Sequence, residues 1–219
     1  MKVTVFGATG GTGRHLVRLA LDRGHEVTAV ARNPQGPAVR SPGLTVLRGD
    51  LTRPGDLRAA VEGRDAVLCA VGAPYRFRAT TTLHSAGVGL NLVTAMRAAG
   101  VRRLICITSM GVDPGPELPI RDRLMVGFVT KVLIPAVYAD MALLERTLRT
   151  TEDLDWTAVR APKLSDGPAT GQYVNAVGGH LGRTGGRRPM PRADLASYMI
   201  ELLADERTFG HWVEVAPKN

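Results

Sequence analysis

The sequence predicts an α/β fold, a doubly wound parallel sheet in one domain with a small C-terminal substrate-side lobe. Short apolar runs of strand length alternate with amphipathic stretches through the first half of the chain. The strand-length runs are apolar throughout rather than on alternate residues, as in parallel strands covered by helices on both faces. A loop with glycine at positions 7, 10 and 13 joins the first strand run to the first helical one.

The elements follow in order. Residues 2–6 (KVTVF) form the first strand. Residues 15–21 are apolar on one face and close at Arg23-Gly24, a helix stop. Residues 26–31 and 44–48 are strands two and three. Pro54 opens a short helix that ends at Glu62-Gly63. Residues 65–71 make strand four, closed by Gly72, and a helix over 85–99 stops at Gly100 before strand five at 103–108. Beyond that the pattern loosens. Residues 113–119 are a Pro/Gly-rich loop, 121–135 an amphipathic helix, and 140–150 a helix with Leu143, Leu144 and Leu148 on one side. Strand six spans 156–160, a loop 162–171, and a short strand 173–177. Pro191-Arg192-Ala193-Asp194 leads into a helix over 195–203, and residues 212–215 are the last strand. No repeat or low-complexity linker divides the chain, so residues 1–219 read as one domain. Lobe elements fall at about 111–140 and 162–194, over the carboxyl ends of the strands, where open α/β sheets bind ligands.

Apolar residues are 44% of the chain and charged ones 22%, proportions that support one folded core and exclude wholesale disorder. The net charge of +8 is nearly all arginine, because lysine occurs only at 2, 131, 163 and 218. The arginines are scattered; Arg183, Arg187, Arg188 and Arg192 form a loose cluster. That distribution argues against a nucleic-acid surface and for attraction of anionic small molecules. Cys69 and Cys106 lie inside apolar runs and read as buried free thiols, which favours a reducing, cytoplasmic location. No signal-peptide pattern is expected at the N-terminus. The longest apolar stretch, 124–137, is interrupted by Lys131 and Pro135, so no membrane span is expected. Residues 124–138 read equally as an interface or a lid helix packed on the domain, leaving monomer and homodimer open. His84 and His180 lack metal-ligand spacing, and no metal is expected.

The glycine loop Gly7-Ala8-Thr9-Gly10-Gly11-Thr12-Gly13 lies between a strand and a helix, the setting of a dinucleotide-binding βαβ unit of the Rossmann type. Gly7 permits the tight turn, Gly10 lets backbone approach a diphosphate, and Gly13 lets the helix pack on the sheet. The exposed N–H groups and the helix dipole favour the anion, with Gly11 inside the loop and Thr9 and Thr12 as hydroxyl donors. The Gly-Lys-Ser/Thr ending of an ATP loop is absent. At the end of strand two, where a NAD site usually offers an acid, the chain has Ala31-Arg32-Asn33. Arg32 pairs well with a 2′-phosphate, so NADP is the expected cofactor, NADPH preferred over NADH. Asp50 and Leu51 after strand three are placed for the adenine, although Asp50 also reads as a turn cap. Val71, Gly72 and Ala73 close strand four beside the diphosphate and ribose.

The chain resembles the atypical short-chain dehydrogenases with an NAD(P)H-binding, NmrA-like fold, in the branch of biliverdin reductase B and flavin reductase. The resemblance runs through VTVFGATGGTG, GDLTRP, RLICITSMGV, ADMALLERTLR, LDWTAVRAPKLSDGPATGQY and RADLASYMIELL, covering nearly the whole chain in order. It implies that Ala161, Pro162, Lys163 and Leu164 lie beside the nicotinamide, with Thr108, Ser109 and Met110 across the reacting ring. Classical members use Tyr-x-x-x-Lys; here Tyr138 is followed four residues later by Ala142. A tyrosine without its lysine is a poor acid at neutral pH. Ser109 is the better candidate for a hydrogen bond to substrate or carboxamide, although it also reads as a cap of the turn after strand five, and Tyr138 is the weaker one; Asp140 and Glu145 either orient the loop or lie on the helix surface. The expected activity is NADPH-dependent hydride transfer to a flat conjugated acceptor: a flavin, tetrapyrrole, quinone or polyketide-like aromatic. The alternatives are a non-enzymatic NADP-binding redox sensor and an isomerase, epimerase or dehydratase.

Overall fold

The computed structural model describes residues 1–33, 41–72, 81–182 and 188–218. Its strands are β1 (Lys2–Phe6), β2 (Glu26–Ala31), β3 (Leu44–Arg48), β4 (Ala66–Cys69), β5 (Arg103–Ser109), β6 (Asp155–Ala161), β7 (Leu164–Ser165), β8 (Tyr173–Val177), β9 (Met190–Pro191) and β10 (His211–Pro217). The main sheet runs β3-β2-β1-β4-β5-β6-β10-β8. Every pairing in it is parallel except the edge pair β10–β8. The strand order reverses between β1 and β4, which opens a crevice at their carboxyl ends.

Alternate strand residues feed two cores. On one face Val3, Val5, Ile105, Val159 and Val213 pack under α1 (Gly11–Asp22) and, near the C-terminus, α6 (Arg192–Glu201). On the other, Phe6, Val67, Leu104 and Ala158 pack under α2 (Arg58–Val61), α3 (Val93–Ala99) and α5 (Pro135–Arg149). A wider π-wound segment, Leu83–Leu92, leads into α3. Cys69 and Cys106 sit opposite each other in the β4–β5 register as free buried thiols, and burial pushes the Cys69 thiol up to about 12.

Several boundaries differ from the sequence reading. The first helix begins four residues early, at Gly11, because the glycine loop itself supplies its first turn. β4 is shorter than expected, ending at Cys69. α5 starts at Pro135 rather than 140, a proline at the first helical position. Its buried face is Val137, Asp140, Met141, Leu144, Glu145 and Leu148, while Leu143 is exposed. The surface alternative for Asp140 and Glu145 is therefore corrected: both are core-facing. The expected helix over 121–135 is α4 (Ile120–Phe128) continued by a π-wound turn, Val129–Leu133, which meets α5 at 101°. None of the α4 residues is buried, and Ile120, Leu124, Met125 and Phe128 are exposed. The loop expected over 162–171 contains β7, which pairs with β9 in a separate two-stranded sheet. Among the described residues no single helix is long and apolar enough to cross a membrane. Ala73, Arg183 and Arg187 lie outside the described residues.

Candidate dinucleotide and acceptor site

The glycine loop is built from close approaches that side chains would block. Gly7 has φ +76°, and a Cβ on it would stand 2.7 Å from the Ala70 carbonyl oxygen. A Cβ on Gly13 would stand 2.0 Å from the Gly7 carbonyl oxygen, so only glycine lets α1 rest on the end of β1. The Gly10 N–H donates to Gly7 O at 2.9 Å and closes the turn. The main-chain N–H groups at the start of α1 point out of its first turn without intrahelical partners. These observations fit a diphosphate and would hold one without titrating.

Gly7, Thr9 and Gly10 line one wall of a cleft of about 280 Å³. Arg32, Asp50, Leu51, Val71 and Gly72 line the cleft too. Arg32 is exposed at the carboxyl end of β2, close enough to Asp50 for its charge to act there. Asp50 Oδ1 accepts from the Thr52 N–H and hydroxyl, both at 2.9 Å, so the carboxylate caps its own turn while facing the cleft. The Thr52 N–H holds the Asp50 carboxyl below its ordinary value, and the Arg32 charge adds to this. Thr12 is buried at the helix–sheet contact and does not line the cleft. A second depression, at Met1, Gly24 and Asp65, lies at the amino ends of the strands, away from the loop.

On the acceptor side, Ser109 ends β5, and its Oγ accepts from the Gly111 N–H at 3.2 Å. Tyr138 lies in the second turn of α5 with its ring against Gly111, where a Cβ would stand 2.6 Å from Cε1. The structure thus brings both candidate residues to one glycine. Thr108 is buried and donates its hydroxyl to Glu145 Oε1 at 2.8 Å. Ala161 is buried at the end of β6, Pro162 is half-buried and Lys163 exposed. The Lys163 carbonyl accepts from Met190 N at 2.8 Å, and Leu164 pairs with Met190 across β7 and β9.

Beneath these residues lies a buried polar layer that the sequence reading missed. Thr108, Arg160 and Glu214 stand in register across β5, β6 and β10. Arg160 donates from Nε and Nη2 to the two Glu145 oxygens at 3.1 and 2.6 Å. Glu214 takes His180 Nδ1 and Leu181 N, both at 2.8 Å. Asp113, in the loop after β5, approaches both Arg160 and His180. On the same helix as Glu145, Asp140 accepts from the main-chain N–H groups of His84 and Ser85, both at 2.9 Å, from His84 Nδ1 at 3.1 Å and from the Ser85 hydroxyl. Burial opposes its ionisation, yet these bonds prevail and hold the carboxyl at about 2. Arg192, read in the sequence as part of a basic cluster and of the run into the last helix, lies across Gly11. Its signal was its place at the head of the last helix, directly after Pro191.

Comparison with known proteins agrees with this geometry. A short-chain dehydrogenase/reductase from Veillonella parvula, solved in complex with NADP, superposes with a TM-score of 0.81 at 18% identity, covering 98% of this chain and 94% of that one. The photosystem II assembly factor Ycf39 of Synechocystis is 34% identical over 127 residues, 56% of this chain and 38% of that protein. A chloroplastic protein of Arabidopsis thaliana is 30% identical over 181 residues, 79% of this chain and 62% of that protein. The chain thus spans between about one third and two thirds of these curated relatives. The model of the NAD(P)H-binding family matches residues 7–206, from the first glycine of the loop to beyond the last helix, and the chain belongs to that family.

Proposed function

We propose that the chain is an NADPH-dependent oxidoreductase that reduces a flat conjugated acceptor, such as a flavin, tetrapyrrole, quinone or polyketide-like aromatic. The observation that carries this reading is Arg32: at the end of β2 it puts a guanidinium in the cleft where an acid would favour NAD. A bound reduced nicotinamide supplies hydride to the acceptor. The chain's own contribution is binding and orientation. Gly7, Gly10 and Gly11, with the first turn of α1, hold the diphosphate, and Thr9 adds a hydroxyl. Arg32 takes the 2′-phosphate, while Asp50 and Leu51 border the adenine. Ala161, Pro162, Lys163 and Leu164 flank the nicotinamide. Ser109 Oγ accepts from Gly111 N, which leaves its O–H to donate to substrate or carboxamide. Tyr138, with Ala142 in place of the lysine, supports the acceptor wall rather than acting as a strong acid. Conjugated acceptors take the proton from solvent or carry it themselves. A second reading, a dinucleotide-binding assembly or sensor protein, is favoured by Ala142 and by the likeness to Ycf39 over 127 aligned residues.

Purified protein with NADPH and riboflavin phosphate, then simple quinones, tests turnover through loss of the near-ultraviolet absorbance of NADPH. Consumption above background supports the reductase; tight NADPH binding without turnover over a broad acceptor panel supports the second reading. Arg32→Ala is expected to weaken NADPH on the order of tenfold or more while NADH changes less than about twofold, since a charge-assisted bond is worth about 1.5–3 kcal/mol. Equal losses for both cofactors would overturn the phosphate assignment.

A further inference from the structure

The glycine pattern leaves one glycine unexplained. Positions 7, 10 and 13 each have a backbone reason, but Gly11 has no positive φ, and the three atoms nearest a would-be Cβ are all side-chain atoms. What stands there is Arg192: its Cδ would lie 2.5 Å, its Nε 2.7 Å and its Cζ 3.5 Å from that Cβ. Gly11 is the first residue of α1, and Arg192 the first residue of α6. Two helix starts from opposite ends of the chain therefore meet at one point, and a guanidinium lies over the turn that presents main-chain N–H groups to a diphosphate.

Its placement is built rather than accidental. β9 sets the backbone by pairing Pro191 with Ser165, so Arg192 and Asp166 leave the small sheet side by side. Arg192 Nη1 donates to Asp166 Oδ1 at 2.9 Å. The Asp166 side chain is 82% exposed, so this pair is a weak surface tether rather than a burial of the charge. Arg192 itself is only 28% exposed, and its Nε and Nη2 make no hydrogen bond within the described residues. Two residues on, Asp194 accepts from Thr170 N, Thr170 Oγ1 and Gly171 N at 2.7–3.0 Å, fixing the 162–171 segment to the same helix start.

We infer that Arg192 is a second anion-recognising residue of the cofactor site, donating from the C-terminal lobe to the diphosphate of the bound dinucleotide. It complements Arg32, which serves the opposite end of the cofactor, and through Asp166 it joins the diphosphate to the segment that flanks the nicotinamide. This inference rests on the glycine loop being the diphosphate site. The glycine at 11 is then the residue that leaves room for the arginine.

The test uses two fragments read by calorimetry on the full chain, with no turnover required. ADP-ribose carries the diphosphate without a 2′-phosphate, and 2′-AMP carries the 2′-phosphate without the diphosphate. Arg192→Ala is expected to weaken ADP-ribose on the order of tenfold and leave 2′-AMP within about twofold, the loss expected of one charge-assisted hydrogen bond. Arg192→Lys, which keeps the charge but not the fork, is expected to fall between the two. Arg32→Ala is expected to show the reverse selectivity. Unchanged ADP-ribose binding by Arg192→Ala, or equal loss of both fragments, would overturn the role of Arg192 while leaving the cofactor reading intact. Failure of the unaltered chain to bind either fragment would overturn both.

Discussion

At the carboxyl end of β1 the chain recruits glycine and main-chain N–H groups; at the ends of β5 and β6, two and three strands away, it buries charged side chains instead. The two regions solve different problems. A cradle of backbone donors presents a fixed, non-titrating shape to an anion, and its strength depends on nothing larger than hydrogen at three positions. The layer made by Thr108, Glu145, Arg160 and Glu214 joins β5, β6, β10 and α5, and its strength depends on every member keeping its partner. The cradle is intolerant of added atoms, and the layer is intolerant of lost ones.

The largest expected effect breaks the layer. Glu145→Ala leaves the buried Arg160 guanidinium without its bidentate partner and Thr108 without its acceptor. It is expected to cost about 4 kcal/mol in urea unfolding. Replacing both partners with apolar residues, Glu145→Leu with Arg160→Met, removes the orphaned charge and is expected to recover most of that loss. A double variant no more stable than Glu145→Ala would mean the layer contributes more than mutual compensation.

A somewhat smaller effect is expected in the cradle. Gly13→Ala sets a methyl 2.0 Å from the Gly7 carbonyl oxygen, where backbone and not a flexible side chain must yield. The expected cost is about 3 kcal/mol, with dinucleotide affinity lost along with it. The contrast with Arg32→Ala is informative: that exposed side chain is expected to change affinity without moving the melting temperature. Normal cofactor binding by Gly13→Ala would show that the loop relaxes without disturbing its N–H donors.

The same difference in material explains what was legible in the sequence. Glycines at 7, 10 and 13 declare the cradle because few other settings need them together, and the apolar runs of β1, β2 and β3 match their observed bounds. Arg32, Asp50, Leu51, Val71 and Gly72 converge on the cleft because each follows a parallel strand of the sheet, whose carboxyl ends meet at the crevice. The layer was opaque for a physical reason. Asp140 and Glu145 occupy positions on the buried face of α5 that a hydrophobic pattern assigns to solvent, while the apolar Leu143 faces out. A charged residue reads as surface unless its partner is known, and the partners lie on β6 and on the segment before α3, distant in sequence. The Thr108 bond to Glu145 was hidden for the same reason: its partner lies 37 residues away, on α5. β9 was missed because a two-residue strand has no periodicity to detect, and the contact of Arg192 with Gly11 because the two lie at opposite ends of the chain.

The smallest effect separates the two regions by pH. The cradle's main-chain donors do not titrate, whereas Asp140 does. Burial opposes its ionisation, but bonds from His84 and Ser85 outweigh that and hold the folded carboxyl at about 2 against an ordinary 3.8. A folded pKa below the unfolded one stabilises the native state above the unfolded value. That contribution, about 2 kcal/mol, is fully present above about pH 5 and drains away as pH falls from near 4 toward 2. Asp140→Asn cannot ionise and lacks this dependence. The stability gap between the parent chain and Asp140→Asn is therefore expected to be widest near neutrality and to close in acid. A gap of constant width from about pH 6 to pH 2.5 would mean that charge at position 140 contributes nothing to stability. Closure in acid would place a proton-sensitive joint between α5, which carries Tyr138, and the segment leading into α3, while the glycine cradle a few strands away stays unchanged.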